Sequence, residues 1–263
     1  MWMYRTGGFA ARQIILFDYT PGRGAEYPKK FLEGYSGYAM TDGYSAYRVL
    51  MKEEGDKPRD VVIVNCWAHA RRYYTNIVKG LKKGETIKGT ETEKALKYIG
   101  KLFHIEKLAK DMSPEKRFEY RKTNAERIVD EYFAWCGSII DDCAGSLYKA
   151  VNYSLNHEAY LRNYLRDGRL DISNNLGENA IRPFCVGRRN WLFSDTPNGA
   201  ESSAIIYSVI ETAKANMVDP FEYMKYIFEV FKDSDIGSLD LNEFMPWSPS
   251  LPDQCRIESQ TSS

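Results

Sequence analysis

The sequence predicts an α/β fold in which a hairpin-led strand region carries a large all-α insertion and ends in C-terminal helices. Short runs rich in aliphatic, aromatic and β-branched residues stand at Met1–Tyr4, Gln13–Tyr19, Gly37–Thr41 and Val61–Asn65, as strands require. Helical periodicity takes over from about Cys66 to Arg169. After Asp167-Gly168-Arg169 the texture returns to segments punctuated by Gly and Pro.

The first run leads into a Gly7-Gly8 turn region, and the second, QIILFDY, makes a hairpin with it. Pro21-Gly22-Arg23-Gly24 is a loop. Residues 25–35 place Phe31 and Leu32 on a short helix. GYAMT is then an apolar strand ending at Asp42-Gly43. Tyr44, Tyr47, Val49 and Leu50 suggest a helix, and VVIVN reads as a buried strand.

In the helical block, Lys94, Lys97 and Lys101 line one face, with Leu96, Ile99, Leu102 and Phe103 on the other. One helix is expected from Pro114 to about Cys136, with Ser113 as cap and Pro114 in its first turn. Residues 144–155 and 158–165 read as helical too. Asp171–Pro183 (DISNNLGENAIRP) follows, with Asn174 or Asn175 as cap and Glu178 in the first turns. Pro183 is expected to end that helix or bend it sharply. Residues 184–193 are aromatic and basic, 199–217 form an amphipathic helix, and Asp219-Pro220 opens a last helix through Phe231. The expected division is therefore 1–65, first part of the core; 66–169, helical insertion; 170–232, second part with the Glu178 helix; and 233–263, a polar tail fraying after Trp247.

At 263 residues, 43% hydrophobic and 14% aromatic, the chain can bury a sizeable core, which excludes a disordered protein. Lys plus Arg and Asp plus Glu are both 36. A nucleic-acid reading must therefore rest on local basic clusters, not on net charge. The cysteines (Cys66, Cys136, Cys143, Cys185 and Cys255) are scattered and odd in number, which is no disulfide framework. No apolar run is long enough for a membrane span, and no signal-peptide layout opens the chain. A soluble, cytoplasmic protein is expected.

Several residues could carry chemistry. Asp42 follows a strand, where open α/β proteins place ligands, although spacing alone favours a turn or helix-capping role. Glu178 has Arg182 at i+4, and a solvent-facing ion pair worth about 0.2–0.5 kcal/mol competes with a catalytic reading. Cys66 and His69 form a Cys-x2-His pair, half of a zinc site with no second half. A buried Cys and a hydrogen-bonded His account for them better. Arg71 and Arg72, and later Arg182, Arg188 and Arg189 beside Trp191, suit phosphate contacts with base stacking. Charge runs serve equally as solvated faces. Asp233 to Glu243 imitates a calcium loop, but Gly237 falls one position early and Phe244 occupies the place of the closing Glu.

Seven segments stand in order: FDYTPGRG (17–24), TDGYSAY (41–47), CWAHARR (66–72), DGRLDISNNLGENAIRP (167–183), VGRRNWLF (186–193), YSVIETAKAN (207–216) and FMPW (244–247). The series resembles the transposases of the insertion sequence 66 group and covers the chain to about residue 247. The resemblance implies a ribonuclease-H-like mixed sheet, an Asp-Asp-Glu triad, and a helical insertion before the Glu. It makes Asp42 the second acid and Glu178 the third, holding Mg2+ or Mn2+. Carboxylates that clamp two divalent cations about 3.5–4 Å apart serve an in-line phosphoryl displacement.

The first Asp is implied on a strand ahead of Trp2, outside this sequence. Asp18, on the third strand of the expected sheet, is a poor substitute. Without that first strand the hairpin is expected to have an unpaired edge. The expectation is a transposase catalytic region for metal-dependent DNA cleavage and strand transfer, inactive alone. The alternative is a decayed remnant with at most residual DNA binding. A helical interaction module would leave the ordered motifs unexplained. Implied partners are DNA (transposon ends and target), a second copy and other proteins of the same element, on the nucleoid and away from membranes.

Overall fold

The computed structural model describes residues 1–51, 60–191 and 194–257, the side chains of Trp191 and Ile236 apart. In chain order come β1 (Trp2–Arg5), β2 (Ile15–Asp18), α1 (Glu26–Phe31), β3 (Gly37–Thr41), β4 (Val61–Asn65), α2 (Trp67–Lys79) and α3 (Glu91–Leu108). There follow α4 (Pro114–Asn124), α5 (Glu126–Ile139), α6 (Gly145–Asn156), α7 (Glu158–Arg162), α8 (Asn175–Trp191), α9 (Pro197–Ala215) and α10 (Pro220–Phe231). The helix expected after Asp42 is a 3-10 turn over Ser45–Met51. Among the described residues no helix is long and apolar enough to cross a membrane.

The strands form two separate pairs and not one mixed sheet: β1 with β2, antiparallel, and β3 with β4, parallel. Two strands bury too little to persist alone, and each pair is completed by helices. The chain divides into two compact units, Arg23–Asn174 and Met1–Gly22 with Asn175–Ser263.

In the unit of Arg23–Asn174, β4 alternates between two apolar clusters, as the two-residue strand period dictates. Val61 and Ile63 pack with Leu50, Leu32 and Tyr47. Val64 faces the helices with Trp67, Tyr74, Ile99, Leu102 and Tyr132. Trp67 is fully buried, and its indole N–H donates to the Leu161 carbonyl at 3.0 Å. An aromatic buried with its polar edge satisfied stabilises by about 1.5–3 kcal/mol.

The helix expected over Pro114–Cys136 is two helices. Asn124 ends α4 by donating its amide to the Tyr120 carbonyl at 2.8 Å, and α5 starts after Ala125. Asn side chains compete for backbone acceptors in this way and so favour helix ends.

An ion network fixes the loop that leads out of this unit. Arg121 has no exposed surface. Its Nε and Nη2 donate to the two Glu106 carboxylate oxygens at 2.7 and 2.6 Å. Nη1 donates to the carbonyls of Tyr164 and Asp167, and Nη2 to that of Leu170. Arg117 bridges Glu106 at 2.7 Å and Asp171 at 3.3 Å. Gly168 passes so close to α4 that a Cβ there would lie 1.8 Å from the Pro114 carbonyl oxygen.

In the other unit, α9 closes the outer edge of β2. The Phe17 N–H donates to Ser208 Oγ at 2.8 Å, and the Ile15 N–H to Thr212 Oγ1 at 3.0 Å. Thr212 Oγ1 returns a bond to the Ile15 carbonyl at 2.9 Å, and Asn216 Nδ2 donates to the Gln13 carbonyl at 2.6 Å. Polar residues four apart on the helix thus meet alternate residues of the strand, and side chains close this edge of the hairpin. Phe17, Phe184 and Tyr207 pack ring against ring at 5.4–5.9 Å beside it.

The chain beyond Trp247 does not fray where expected. Leu251 and Cys255 are buried with Ala213, Val218 and Tyr223. Asp219 N–H donates to the Cys255 carbonyl at 2.8 Å, and Val218 bridges Arg256. Two apolar residues in a polar segment suffice to dock it on the α9–α10 junction.

Candidate active site

The two parallel strands are tied where they end. Buried Thr41 donates its hydroxyl to Asn65 Oδ1 at 2.9 Å. Asp42, the next residue, is exposed, and its Oδ1 accepts the Tyr44 N–H at 2.9 Å. This local turn is one Asp forms readily, and it holds the carboxylate at the C-terminal end of β3. Gly43 has φ +87, and a Cβ there would lie 2.8 Å from the Tyr153 hydroxyl oxygen, so glycine is demanded twice over. Arg23 stacks its guanidinium over Tyr44 at 4.9 Å.

Tyr47 and Tyr153 border the same turn. Burial, then the charge of Asp42, pushes the Tyr47 phenol up to about 12. Burial, with Tyr73 next, raises that of Tyr153 as well. Both therefore remain neutral hydroxyls at physiological pH.

Cys66 caps α2 and is fully buried, and its Sγ accepts the Asn174 N–H at 3.2 Å. Its own N–H donates to the Thr41 carbonyl, while the Trp67 N–H donates to Ile172. The CWAHARR and DISNN segments are thereby stitched together at the end of β3. His69 Nε2 lies 3.2 Å from Arg72 Nη1. Arg71 and Arg72 are exposed on α2, with Arg71 over the Phe103 ring at 5.8 Å.

Glu178 lies in the first turn of α8 and is half-buried. The helix does not end at Pro183 but continues to Trp191. Proline removes the donor to the carbonyl of residue 179, and Asn179 is exposed, so water can take the donor's place. The inner face, Ala180 and Phe184 among it, packs on Phe17. Glu178, Arg182, Cys185 and Arg189 follow the helical repeat along another stripe. Arg182, Arg188 and Arg189 are exposed; the Trp191 side chain, and Leu192 and Phe193 of the same motif, lie outside the described set.

Asp42 belongs to one compact unit and Glu178 to the other. Among the described residues no group of three or more His, Cys, Asp or Glu side chains is gathered as a metal site. Carboxylate oxygens suit Mg2+ in kind, but Asp42 and Glu178 fall short in number of the ligands a two-metal clamp takes.

Sequence reasoning missed the aromatic residues beside Asp42. Tyr73 stacks on Tyr153 at 4.5 Å, and Tyr153 on His157 at 4.2 Å. The Tyr153–His157 spacing of four is a helical signal open to inspection. Nothing in the sequence pairs either with Tyr73.

The molecule is thus a mixed α/β protein with small sheets, an acid at a strand end and exposed basic helices. Its sequence matches the family described as "Transposase IS66 family" over residues 1–202 and the "IS66 C-terminal element" over 208–247. The chain belongs to the IS66 transposase family. Relatives include two uncharacterised proteins of Sinorhizobium fredii, 27% identical over 257 residues and 28% identical over 250. These alignments cover 94% and 92% of this chain but 46% and 44% of the relatives, so the chain spans less than half their length. No solved structure matches it.

Proposed function

We propose that this chain supplies the catalytic-core portion of a DNA transposase, with a ribonuclease-H-like arrangement completed by sequence outside the 263 residues. One observation carries the reading: Asp42, within a family-matched span, is an exposed carboxylate fixed at the C-terminal end of a parallel strand. Asp42 and Glu178 would hold Mg2+ or Mn2+ together with a third acid from a strand ahead of Trp2. The metal, when bound, activates the attacking oxygen and stabilises the leaving one. The Tyr44 N–H orients Asp42, and the Cys66 thiol fixes Asn174, the residue from which the Glu178 helix departs. Arg71, Arg72, Arg182, Arg188 and Arg189 would neutralise phosphates, which makes binding fall with salt. DNA at transposon ends and target is the proposed partner, with self-association and other proteins of the element acting on the whole protein.

The test uses the full-length protein that contains this chain and DNA carrying its element's ends. Asp42→Asn and Glu178→Gln are each expected to lower Mg2+-dependent nicking by at least about 100-fold while leaving DNA binding intact. The 263-residue chain alone is expected not to nick. Nicking by the full-length protein that survives both substitutions would overturn the assignment of the acids. Robust nicking by the short chain would overturn the need for a third acid. Affinity indifferent to salt would sink the phosphate-contacting surface.

A further inference from the structure

We propose that Tyr73, Tyr153 and His157 form a stacking platform that receives an unpaired DNA base beside Asp42. The inference rests on the transposase reading and adds to it how the strand is held.

The three rings make a column. Tyr73 lies 4.5 Å from Tyr153 at an interplanar angle of 28°, and Tyr153 lies 4.2 Å from His157 at 25°. The inner end is fixed: His157 Nδ1 donates to the Tyr153 carbonyl at 2.8 Å. The Tyr153 hydroxyl reaches the Asp42 carbonyl at 3.5 Å and presses on Gly43. The outer ring, Tyr73, is 39% exposed. Arg72, its neighbour on α2, is exposed as well.

A pre-stacked exposed ring, with an exposed arginine on the same helix and the Asp42 backbone at the foot of the column, is suited to one kind of ligand. Bases stack on such rings whatever their sequence, and the cation takes the adjoining phosphate. A base inside a duplex has both faces covered by its neighbours. The platform therefore selects a nucleotide that is unpaired.

The test measures binding of the 263-residue chain to a short single-stranded oligonucleotide carrying 2-aminopurine, and to the blunt duplex of the same sequence. The platform predicts tighter binding of the single strand at equal salt, with 2-aminopurine emission quenched. Tyr73→Ala should abolish the quenching and cost about tenfold in single-strand affinity, with less than about twofold change for the duplex, while Tyr73→Phe keeps both. Arg72→Gln should weaken both DNAs alike and flatten the salt dependence. Circular dichroism checks that each variant is folded. Salt-dependent duplex binding with no effect of Tyr73→Ala, or with Tyr73→Phe as damaging as Tyr73→Ala, overturns the platform and leaves the transposase reading standing. Absence of any DNA binding overturns the platform, while the transposase reading is judged by nicking with the full-length protein.

Discussion

Gly43 shows how tightly single residues constrain the turn that presents Asp42. Its backbone is left-handed, and the Tyr153 hydroxyl occupies the space a side chain would need. Gly43→Ala therefore meets two separate penalties, backbone strain and a clash, and is expected to destabilise the protein by about 1–3 kcal/mol. Tyr153→Phe in the same chain removes the hydroxyl and should recover the steric part only. Thermal unfolding of the two single variants and the double variant separates the contributions. Additive losses in the double variant would show that Tyr153 plays no part in the requirement for glycine.

Elements are held by groups far apart in sequence, and two such ties invite testing. Glu106 on α3 neutralises Arg117 and Arg121 of α4, and those arginines grip the loop ahead of α8. Removing it takes the carboxylate from buried Arg121 and leaves Arg117 the longer bridge to Asp171, and Glu106→Ala is expected to cost about 3–5 kcal/mol, read from the urea midpoint. A loss below about 1 kcal/mol would mean that water replaces the carboxylate and that the network is not a clamp. On α9, Thr212→Val keeps the shape but leaves the Ile15 N–H and carbonyl unmet. The expected cost is about 1–3 kcal/mol, with enhanced hydrogen exchange confined to β2. Uniform exchange across the chain would argue against a local edge closure.

At the scale of the whole molecule, buried phenols set a limit on alkaline stability. Tyr47 and Tyr223 are both pushed up to about 12, chiefly by burial. An unfolded tyrosine ionises near 10, so above that pH the folded chain binds more protons than the unfolded one. Their contribution is complete below about pH 10 and is lost as pH rises through about 12. The urea midpoint should fall across that window, and Tyr47→Phe should make the fall shallower. A midpoint that stays level through the window contradicts the burial argument. Asp42 and Glu178 stand on different compact units, so the proposed metal site would need both of them.

The sequence by itself determined most strands, several helix starts and the family. GYAMT and VVIVN are strands over their whole length, Asp219-Pro220 opens α10, and the ordered motifs match the family over most of the chain. These features depend on side-chain period, capping and residue order, which are local and written directly in the chain. Only the tertiary structure decided that Pro183 lies within a helix, that the segment after Trp247 is docked, and that the strands form two pairs. It alone brought Tyr73 to Tyr153, and Arg121 to the 164–170 loop. The reason is physical: whether a missing helical donor is tolerated depends on whether its carbonyl faces water. Which distant residues meet depends in turn on how whole apolar faces pack, and no local pattern encodes either.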